Sequence, residues 1–279
     1  MTVRRRMLLS TVDEHEVEPF LRSVAQSQNS ALLLDYDGTL APFSIDRKRA
    51  LPYAGVTTLL QELVDTGRTR VVIISGRNAY EVGPLLGVKP CPEIWGSHGL
   101  QRLLPDGTCE MPEIDQDAIE ALADAGRWLT YQGLQQMAEP KPGSIAVHWR
   151  GLDEPSAIKL RGRILLGWSP LADRASLTLL EFDGGVELRV SDRDKSDAVR
   201  TILDEIGPDA PVAYLGDDAT DELAFQTLEN RGLTVLVRPQ RRNTAAQVWL
   251  KPPAALLEFL FRWLEACHTG ELEASANLR

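Results

Sequence analysis

Short apolar runs that stop abruptly at polar residues recur along the chain, and they limit the fold more than any other feature. Runs of four or five apolar residues are typical of strands that are buried on both faces of a parallel sheet. Between them, segments such as residues 52–64 carry apolar side chains at helical spacing and end at glycine. Three of these runs are residues 31–34 before Asp35, residues 71–74 before Ser75-Gly76, and residues 211–215 before Gly216-Asp217. This alternation predicts an α/β fold built on a doubly wound parallel sheet.

The alternation is interrupted between residues 103 and 188. Here two helical stretches are mixed with strand-like segments, and Asp183-Gly184-Gly185 is a hairpin signal. Such a mixture is typical of an α+β domain. We therefore predict a core formed by residues 1–102 and 189–279, with an α+β domain of residues 103–188 inserted into it. The predicted segments of that domain are helices at 115–131 and 154–166 and strands at 144–149, 177–182 and 186–190.

Charge and composition exclude several classes of protein. The chain has 30 Lys and Arg against 40 Asp and Glu, a formal net charge of −10, and no basic stripe of the kind that duplex binding requires. No apolar run approaches the roughly 20 residues that span a bilayer, and the stretch at residues 7–9 is too short for a secretory signal. The three cysteines form no CxxC pair, so the sequence suggests neither a disulfide framework nor a zinc site. We expect a cytoplasmic monomer with no nucleic-acid or membrane partner.

Four of the predicted strand ends and helix starts carry residues that suit one chemistry. Ligands of such sheets bind beyond the carboxyl ends of the strands, so these residues are expected to converge. Carboxylates, a hydroxyl and an ammonium group together could handle a phosphate and a hard cation. The residues are Asp35 and Asp37, then Ser75 with Gly76, then Lys195, and finally the cluster Asp217, Asp218 and Asp221.

Each of these four signals has a plainer interpretation when it is taken alone. Asp-x-Asp-Gly after a strand is often only a turn, and a single lysine usually faces solvent. Asp218 and Asp221 could merely favour the N-terminus of a helix. Lys195 also opens a predicted helix, where the helix dipole disfavours a cation, and this favours an anion close to it. The specific signal is the ordered set of four.

Motifs along much of the chain resemble those of the haloacid dehalogenase-like phosphohydrolases and, within them, the trehalose-6-phosphate phosphatases. The matching stretches are LLLDYDGTLAPF, VVIISGR and YLGDDATDELAF, together with AEPKPGSIAVHWRG and VELRV in the inserted domain. They lie in patches between residues 31 and 262. The resemblance implies a Rossmann-like core of the haloacid dehalogenase type, and it implies that the inserted α+β domain is a cap that closes over the substrate.

The resemblance also implies a role for each motif residue. Asp35 would be the nucleophile that forms an aspartyl-phosphate, and Asp37 would be the general acid and base. Ser75, Gly76 and Lys195 would bind the phosphate. Mg²⁺ would be bound by Asp35, by Asp37 through its backbone carbonyl, and by Asp217. Asp218 and Asp221 would not contact the metal directly. They would orient the residues that do, or bind the metal through water.

The substrate is expected to be a small sugar phosphate. The resemblance implies hydrolysis of trehalose 6-phosphate to trehalose and phosphate, with His98, Glu139, Lys141 and Glu187 as substrate-binding residues. A carboxylate accepts and an ammonium donates hydrogen bonds, which suits sugar hydroxyls. His148 and Arg150 are candidates for either cap folding or substrate contact. Two alternatives stay open: another phosphorylated disaccharide or pseudo-sugar, such as an aminocyclitol conjugate or glucosylglycerol phosphate, and an inactive sugar-phosphate sensor.

Overall fold

A computed structural model describes residues 14–44, 46–175, 177–182, 184–190 and 193–276. Residues 7–9 and Asp183 of the predicted hairpin turn lie outside these ranges. The strands are β1 (Ser30–Leu34), β2 (Thr69–Ile74), β3 (Glu93–Gly96), β4 (Gln101–Leu103), β5 (Cys109–Glu110), β6 (Ala138–Lys141), β7 (Ser144–His148), β8 (Leu177–Phe182), β9 (Gly185–Val190), β10 (Val212–Gly216), β11 (Leu233–Val237) and β12 (Val248–Leu250). The helices are α1 (Glu14–Gln26), α2 (Val56–Asp65), α3 (Ala79–Leu86), α4 (Gln116–Tyr131), α5 (Glu154–Arg174), α6 (Lys195–Ile206), α7 (Glu222–Leu228) and α8 (Ala254–Ala276).

The larger sheet has eight strands in the order β12-β11-β10-β1-β2-β3-β4-β5. The first six strands in this order are parallel, and β4 and β5 extend the sheet in antiparallel pairing. At the centre, Leu34 of β1 is in register with Leu215 of β10 on one side and with Ile73 of β2 on the other. The residues that follow these three strands therefore emerge side by side at one edge of the sheet.

Helices cover both faces of this sheet, as the alternating pattern predicts. Leu32 and Leu34 of β1 point to one face and belong to the apolar cluster formed with α1, α2, α3 and α8. Ala31 and Leu33 point to the other face, where α6 and α7 cover them. All four side chains are completely buried, which explains why β1 is apolar throughout. The doubly wound α/β prediction is confirmed.

The smaller sheet has four antiparallel strands in the order β6-β7-β9-β8. Helices α4 and α5 pack on one face of this sheet around the buried side chains of Ile164 and Trp168. Pairing aligns Glu139 of β6 with Ala146 of β7, and Ala146 with Glu187 of β9. These three residues therefore form a row on the other face, and Glu139 and Glu187 line the cavity described below.

Both predicted bounds of the inserted domain fall within strands. Residue 103 ends β4, which belongs to the larger sheet, and residue 188 lies inside β9 of the smaller sheet. Pro105-Asp106-Gly107 lies in the hairpin that joins β4 to β5. We propose that the chain passes from core to cap between β5 and α4, and returns between β9 and α6.

One helix of the inserted domain extends further than the sequence pattern indicates. Helix α5 continues to Arg174 rather than stopping at residue 166, although Pro170 lies inside it. Its last turns bury Trp168 and Ala172 in the cap core, and this packing outweighs the cost of the proline. The pattern gives no indication of α1, β6 or β12. Within the described ranges, no helix combines the length and the apolar character needed to cross a membrane.

Candidate active site

A cavity of about 470 Å³ lies between the carboxyl edge of the larger sheet and the uncovered face of the smaller sheet. The chain brings residues to it from distant parts of the sequence, as the four-motif prediction expects. Of the predicted site residues, Asp221 alone does not line the cavity among the described residues. Those that do are Asp35, Asp37, Ser75, Gly76, His98, Glu139, Lys141, Glu187, Lys195, Asp217 and Asp218.

Lys195 is the first residue of α6, and the cap of this helix fixes its place. The Asp194 carboxylate accepts a hydrogen bond from the backbone N–H of Ser196 at 2.7 Å. The Asp197 carboxylate accepts one from the backbone N–H of Asp194 at 2.8 Å, which completes a capping box. The lysine side chain therefore leaves a well-defined helix start and reaches into the site.

The Lys195 ammonium group lies between two buried carboxylates. Its Nζ donates to Oδ1 of Asp35 at 2.6 Å and to Oδ1 of Asp221 at 2.7 Å. Burial alone would lower the pKa of Lys195, but the charges of Asp221 and Asp35 raise it instead. For Asp35, burial outweighs the attraction of Lys195 and raises the pKa to about 7. The second oxygen of Asp35 accepts a hydrogen bond from the Thr39 hydroxyl at 3.2 Å.

Asp35, Asp217 and Asp221 form a buried cluster in which one oxygen of each lies within 4.8 Å of the others. Asp221 is fully occupied: its oxygens accept hydrogen bonds from Lys195, from the Tyr214 hydroxyl, and from the backbone N–H groups of Asp217 and Asp218. Among the described residues, none donates a hydrogen bond to the Asp217 carboxylate. Burial and the charge of Asp35 raise the pKa of Asp217 well above its ordinary value.

A hard cation fits this cluster. Buried carboxylates without a donor are costly, and oxygen ligands are those that Mg²⁺ prefers. Gly38 allows the approach of the two acidic loops: it has a φ of +89°, and a side chain there would place its Cβ 2.2 Å from Oδ2 of Asp217. The structure thus explains the glycine of the first motif as a spacer beside the acidic cluster.

Two arginines after β11 contact the loop that carries Asp217 and Asp218, and no motif or periodicity indicates them. Arg238 donates to the carbonyl oxygen of Asp217 at 3.2 Å, and its guanidinium lies 3.8 Å from the Asp218 carboxylate. Arg242 donates to the carbonyl of Asp218 at 2.6 Å and pairs with Glu222 at 2.6 Å. Both arginines place positive charge behind a loop rich in negative charge.

Asp37 faces Arg77, the arginine of the VVIISGR stretch, to which neither the pattern nor the resemblance assigns a role. The guanidinium of Arg77 donates to both oxygens of Asp37, at 2.6 Å each, and lies over the ring of Tyr36. Arg77 is only 2% exposed, and its third contact is to the carbonyl oxygen of Arg47 at 2.9 Å. This planar two-bond pairing fixes the orientation of the Asp37 carboxylate.

A strained turn after β3 supports the loop that carries Ser75 and Gly76. Ser97 and His98 adopt the left-handed backbone conformation, with φ values of 48° and 56°. The N–H of His98 donates to the carbonyl of Ser75 at 3.0 Å, and that of Ser97 donates to the carbonyl of Arg77 at 2.7 Å. The ring of His98 lies so close to Gly76 that a Cβ there would approach it to 2.6 Å.

Glu187, Lys141 and His98 form a polar contact between cap and core. The Glu187 carboxylate is fully buried and lies 2.6 Å from Nζ of Lys141, 2.9 Å from Nε2 of His98 and 2.6 Å from the Ser144 hydroxyl. Burial would raise the pKa of Glu187, but Lys141 and His98 hold it well below its ordinary value. Lys141 also donates to the carbonyl of Gly76 at 2.9 Å.

Glu139 makes a second set of cap-to-core contacts. Its Oε2 pairs with the guanidinium of Arg47 from the core and lies 2.6 Å from Nε2 of His148 on the neighbouring cap strand. Beside it, the guanidinium of Arg150 lies 4.0 Å from the ring centroid of Phe43, again joining cap to core. His148 and Arg150 both line the cavity.

Solved structures share this architecture. A structure of the C-terminal domain of Candida albicans trehalose-6-phosphate phosphatase superposes with a TM-score of 0.74 at 22% identity, covering 89% of this chain and 96% of that one. A haloacid dehalogenase-like hydrolase from Bacteroides thetaiotaomicron superposes with a TM-score of 0.57 at 15% identity, covering 84% and 99% of the two chains. These likenesses establish the fold.

Sequence comparison identifies the family. The chain is 34% identical over 248 residues to a trehalose-phosphate phosphatase of Mycobacterium marinum and 30% identical over 268 residues to one of Mycobacterium tuberculosis. The alignments cover 83% and 89% of this chain, but it spans only 60% and 65% of those relatives. The trehalose-phosphatase family model matches residues 33–251, the segment that contains all the site residues described above. The chain belongs to the trehalose-phosphatase family.

Proposed function

We propose that the protein is a Mg²⁺-dependent phosphatase that hydrolyses trehalose 6-phosphate to trehalose and phosphate. The observation that carries the proposal is the buried carboxylate of Asp35, which lies at the cavity 2.6 Å from the ammonium of Lys195. A protein that only bound a sugar phosphate would have no use for a nucleophile in that position. Membership in the family supports the reaction, and the cap supports a substrate larger than free phosphate.

The metal would be held by the carboxylates of Asp35 and Asp217 and by the backbone carbonyl of Asp37. When bound, Mg²⁺ would neutralise the negative charge that keeps a carboxylate and a phosphate dianion apart. Asp221, whose oxygens are already occupied by four donors, would orient Lys195 and the loop at Asp217. Asp218 would support the loop from the cavity side, beside Arg238.

The chemical step would proceed by two displacements at phosphorus. An oxygen of Asp35 attacks phosphorus, the bond from phosphorus to the sugar oxygen breaks, and that oxygen takes a proton from Asp37. Water then attacks the aspartyl-phosphate, gives its proton to Asp37, and releases phosphate and free Asp35. Ser75, Gly76 and Lys195 would hold the phosphoryl oxygens through both displacements.

The position of Asp37 sets a condition on its role. Both of its oxygens accept hydrogen bonds from Arg77, so a proton on either oxygen would displace one of these bonds. Proton donation to the sugar oxygen therefore requires Asp37 to give up one contact with Arg77. Asp37 lines the cavity, so the released oxygen would face the substrate side.

The cap would recognise the sugar. Glu139, Lys141 and His98 line the cavity together with Glu187, and they offer both acceptors and donors to hydroxyl groups. Closure over the sugar would also exclude bulk water from the phosphoryl group. The same surface could accept another phosphorylated disaccharide or pseudo-sugar, which is the second substrate class that we retain.

A phosphate-release panel tests the proposal. The wild-type protein is assayed in millimolar MgCl₂ with trehalose 6-phosphate, glucosylglycerol phosphate, glucose 6-phosphate and p-nitrophenyl phosphate. The proposal expects the highest kcat/KM for trehalose 6-phosphate. Faster release from another sugar phosphate would move the assignment to the second substrate class. If the protein binds trehalose 6-phosphate but turns over no substrate, the result would contradict the assignment as an enzyme and support an inactive sugar-phosphate sensor.

A further inference from the structure

Arg47 connects the core half of the site to the cap half. It belongs to none of the motifs quoted from the sequence. It lies in a single 3-10 turn, Arg47–Arg49, in the long connection between β1 and α2 of the core. Its guanidinium crosses to the cap, where it pairs with Glu139 and lies 2.8 Å from Nε2 of His148. Glu139 and His148 belong to adjacent strands of the cap sheet, so one core side chain engages both strands.

The backbone of Arg47 connects to the opposite side of the cavity. Its carbonyl oxygen accepts a hydrogen bond at 2.9 Å from Nη1 of Arg77, whose other donors hold both oxygens of Asp37. A continuous chain of contacts therefore runs from Glu139 through Arg47 and Arg77 to Asp37. These contacts join Glu139, which would bind the sugar, to Asp37, which would transfer the proton.

We propose that Arg47 is a positioning residue that holds the closed cap in register with Asp37, and so determines how well a disaccharide phosphate is used. This inference rests on the proposed function, because it assigns a role within the same site. Arg47 need not touch the phosphate. It acts by pairing with Glu139 and His148, which keeps the sugar-reading face of the cap over the acid–base residue.

The role makes a specific prediction about the kinetic constants. If Arg47 favours the closed cap, its loss lowers the fraction of protein that is competent to bind the sugar, and the apparent affinity falls by that fraction. KM for the disaccharide phosphate should then rise while kcat changes little. A small aryl phosphate that does not reach the cap should be spared, because the carbonyl contact with Arg77 survives any side-chain replacement at residue 47.

The experiment compares R47Q with wild type and with the matched control R49Q. Arg49 lies in the same 3-10 turn but is exposed. For R47Q we expect kcat/KM on trehalose 6-phosphate to fall by about 10- to 100-fold, the range of a typical coupling between two sites, mainly through KM. We expect turnover of p-nitrophenyl phosphate to stay within threefold of wild type, and R49Q to match wild type on both substrates. If R47Q does not fold by circular dichroism, R47K, which keeps the charge but loses the planar two-group contact, takes its place.

A double-mutant cycle with E139Q separates positioning from a general structural effect. If Arg47 acts through Glu139, adding R47Q to E139Q should lower kcat/KM on trehalose 6-phosphate by at most a further threefold. Three results would overturn the inference while leaving the proposed function intact. The losses of kcat/KM in R47Q and E139Q could be fully additive, R47Q could lose equally on both substrates, or R47Q could lose nothing on the sugar phosphate. A wild type that releases phosphate from p-nitrophenyl phosphate but from no sugar phosphate would overturn the proposed function, and this inference with it.

Discussion

Nζ of Lys195 lies 2.6 Å from Oδ1 of Asp35. The same nitrogen lies 2.7 Å from Asp221, so one buried cation serves two buried carboxylates. A third carboxylate, that of Asp217, stands beside them without such a partner among the described residues. The site therefore carries excess negative charge, so replacing Lys195 and replacing Asp217 should have opposite effects on the stability of the fold.

Replacing Lys195 by methionine should destabilise the fold and abolish turnover. The substitution leaves Asp35 and Asp221 buried without their cation, and removing one partner of a buried ion pair typically costs about 3–5 kcal/mol. Urea unfolding measures the loss, and Lys159→Met at an exposed position serves as the control. An unfolding free energy within about 1 kcal/mol of wild type, comparable to the error of such a comparison, would contradict the assigned contacts.

Replacing Asp217 by asparagine should have the opposite effect on the metal-free protein. The amide removes a charge that Asp35 and Asp221 repel, and single stabilising substitutions commonly add about 0.5–2 kcal/mol. Phosphate release should nevertheless fall, because a proposed metal ligand is lost. The measurement pairs urea unfolding in EDTA with the activity assay. An Asp217→Asn protein that is less stable than wild type in EDTA would show that Asp217 is not an uncompensated charge. The control is Asp209→Asn at an exposed turn, which should change neither the unfolding free energy nor the rate of phosphate release.

Magnesium should stabilise the wild-type fold. A ligand that binds only the native state adds about 2.7 kcal/mol at a concentration of 100 times its Kd. Thermal unfolding at constant ionic strength should therefore show Tm rising with MgCl₂, and EDTA should reverse the rise. Asp217→Asn should lose the shift, and Asp209→Asn should keep it. An equal rise for wild type and Asp217→Asn would place the cation elsewhere.

His148 should make the fold more sensitive to acid. Burial, followed by the charges of Arg47 and Lys141, lowers its pKa from 6.5 to about 3. The unfolded chain binds a proton at this histidine as the pH falls below 6.5, and the folded protein does not until near pH 3, so stability declines through that interval. Between neutral pH and about pH 4.5, wild type should lose roughly 2 kcal/mol more unfolding free energy than His148→Gln.

The control for this comparison is His15→Gln, since His15 is almost fully exposed on α1. It should lose as much unfolding free energy as wild type over the same pH range. If wild type and His148→Gln respond alike, His148 is not held neutral in the fold. The comparison uses the difference between variants because other groups contribute equally to both proteins.

The sequence was sufficient to find the residues that follow strands. Asp35, Ser75 and Asp217 each come directly after a strand that contains an apolar run, and the register of β1 with β2 and β10 brings such positions to one edge. That inference needs only periodicity and the geometry of a parallel sheet. Lys195 could be placed because a cation at a helix start is unfavourable unless an anion lies nearby, and the structure puts Asp35 and Asp221 there.

The arginines could not be placed in the same way. Arg47, Arg238 and Arg242 lie in connections without periodicity, and their partners are 20 or more residues away in sequence. Nothing local distinguishes an arginine that folds back onto a carbonyl from one that points to solvent. The cap contacts of Glu187 likewise depend on how two sheets face each other, which strand patterns do not specify.

Phosphate release by Asp35→Asn tests the central claim most directly. The variant keeps the shape of the side chain and removes its nucleophilic charge, and circular dichroism with thermal unfolding checks that it folds. With trehalose 6-phosphate and MgCl₂, the account predicts that kcat falls on the order of 10⁴-fold or more, as for other enzymes that lose a catalytic-centre residue, while Asp173→Asn at an exposed helical position matches wild type. A folded Asp35→Asn protein that retains more than about one-tenth of wild-type kcat, a barrier change under about 1.4 kcal/mol, would contradict the assignment of Asp35 as the nucleophile.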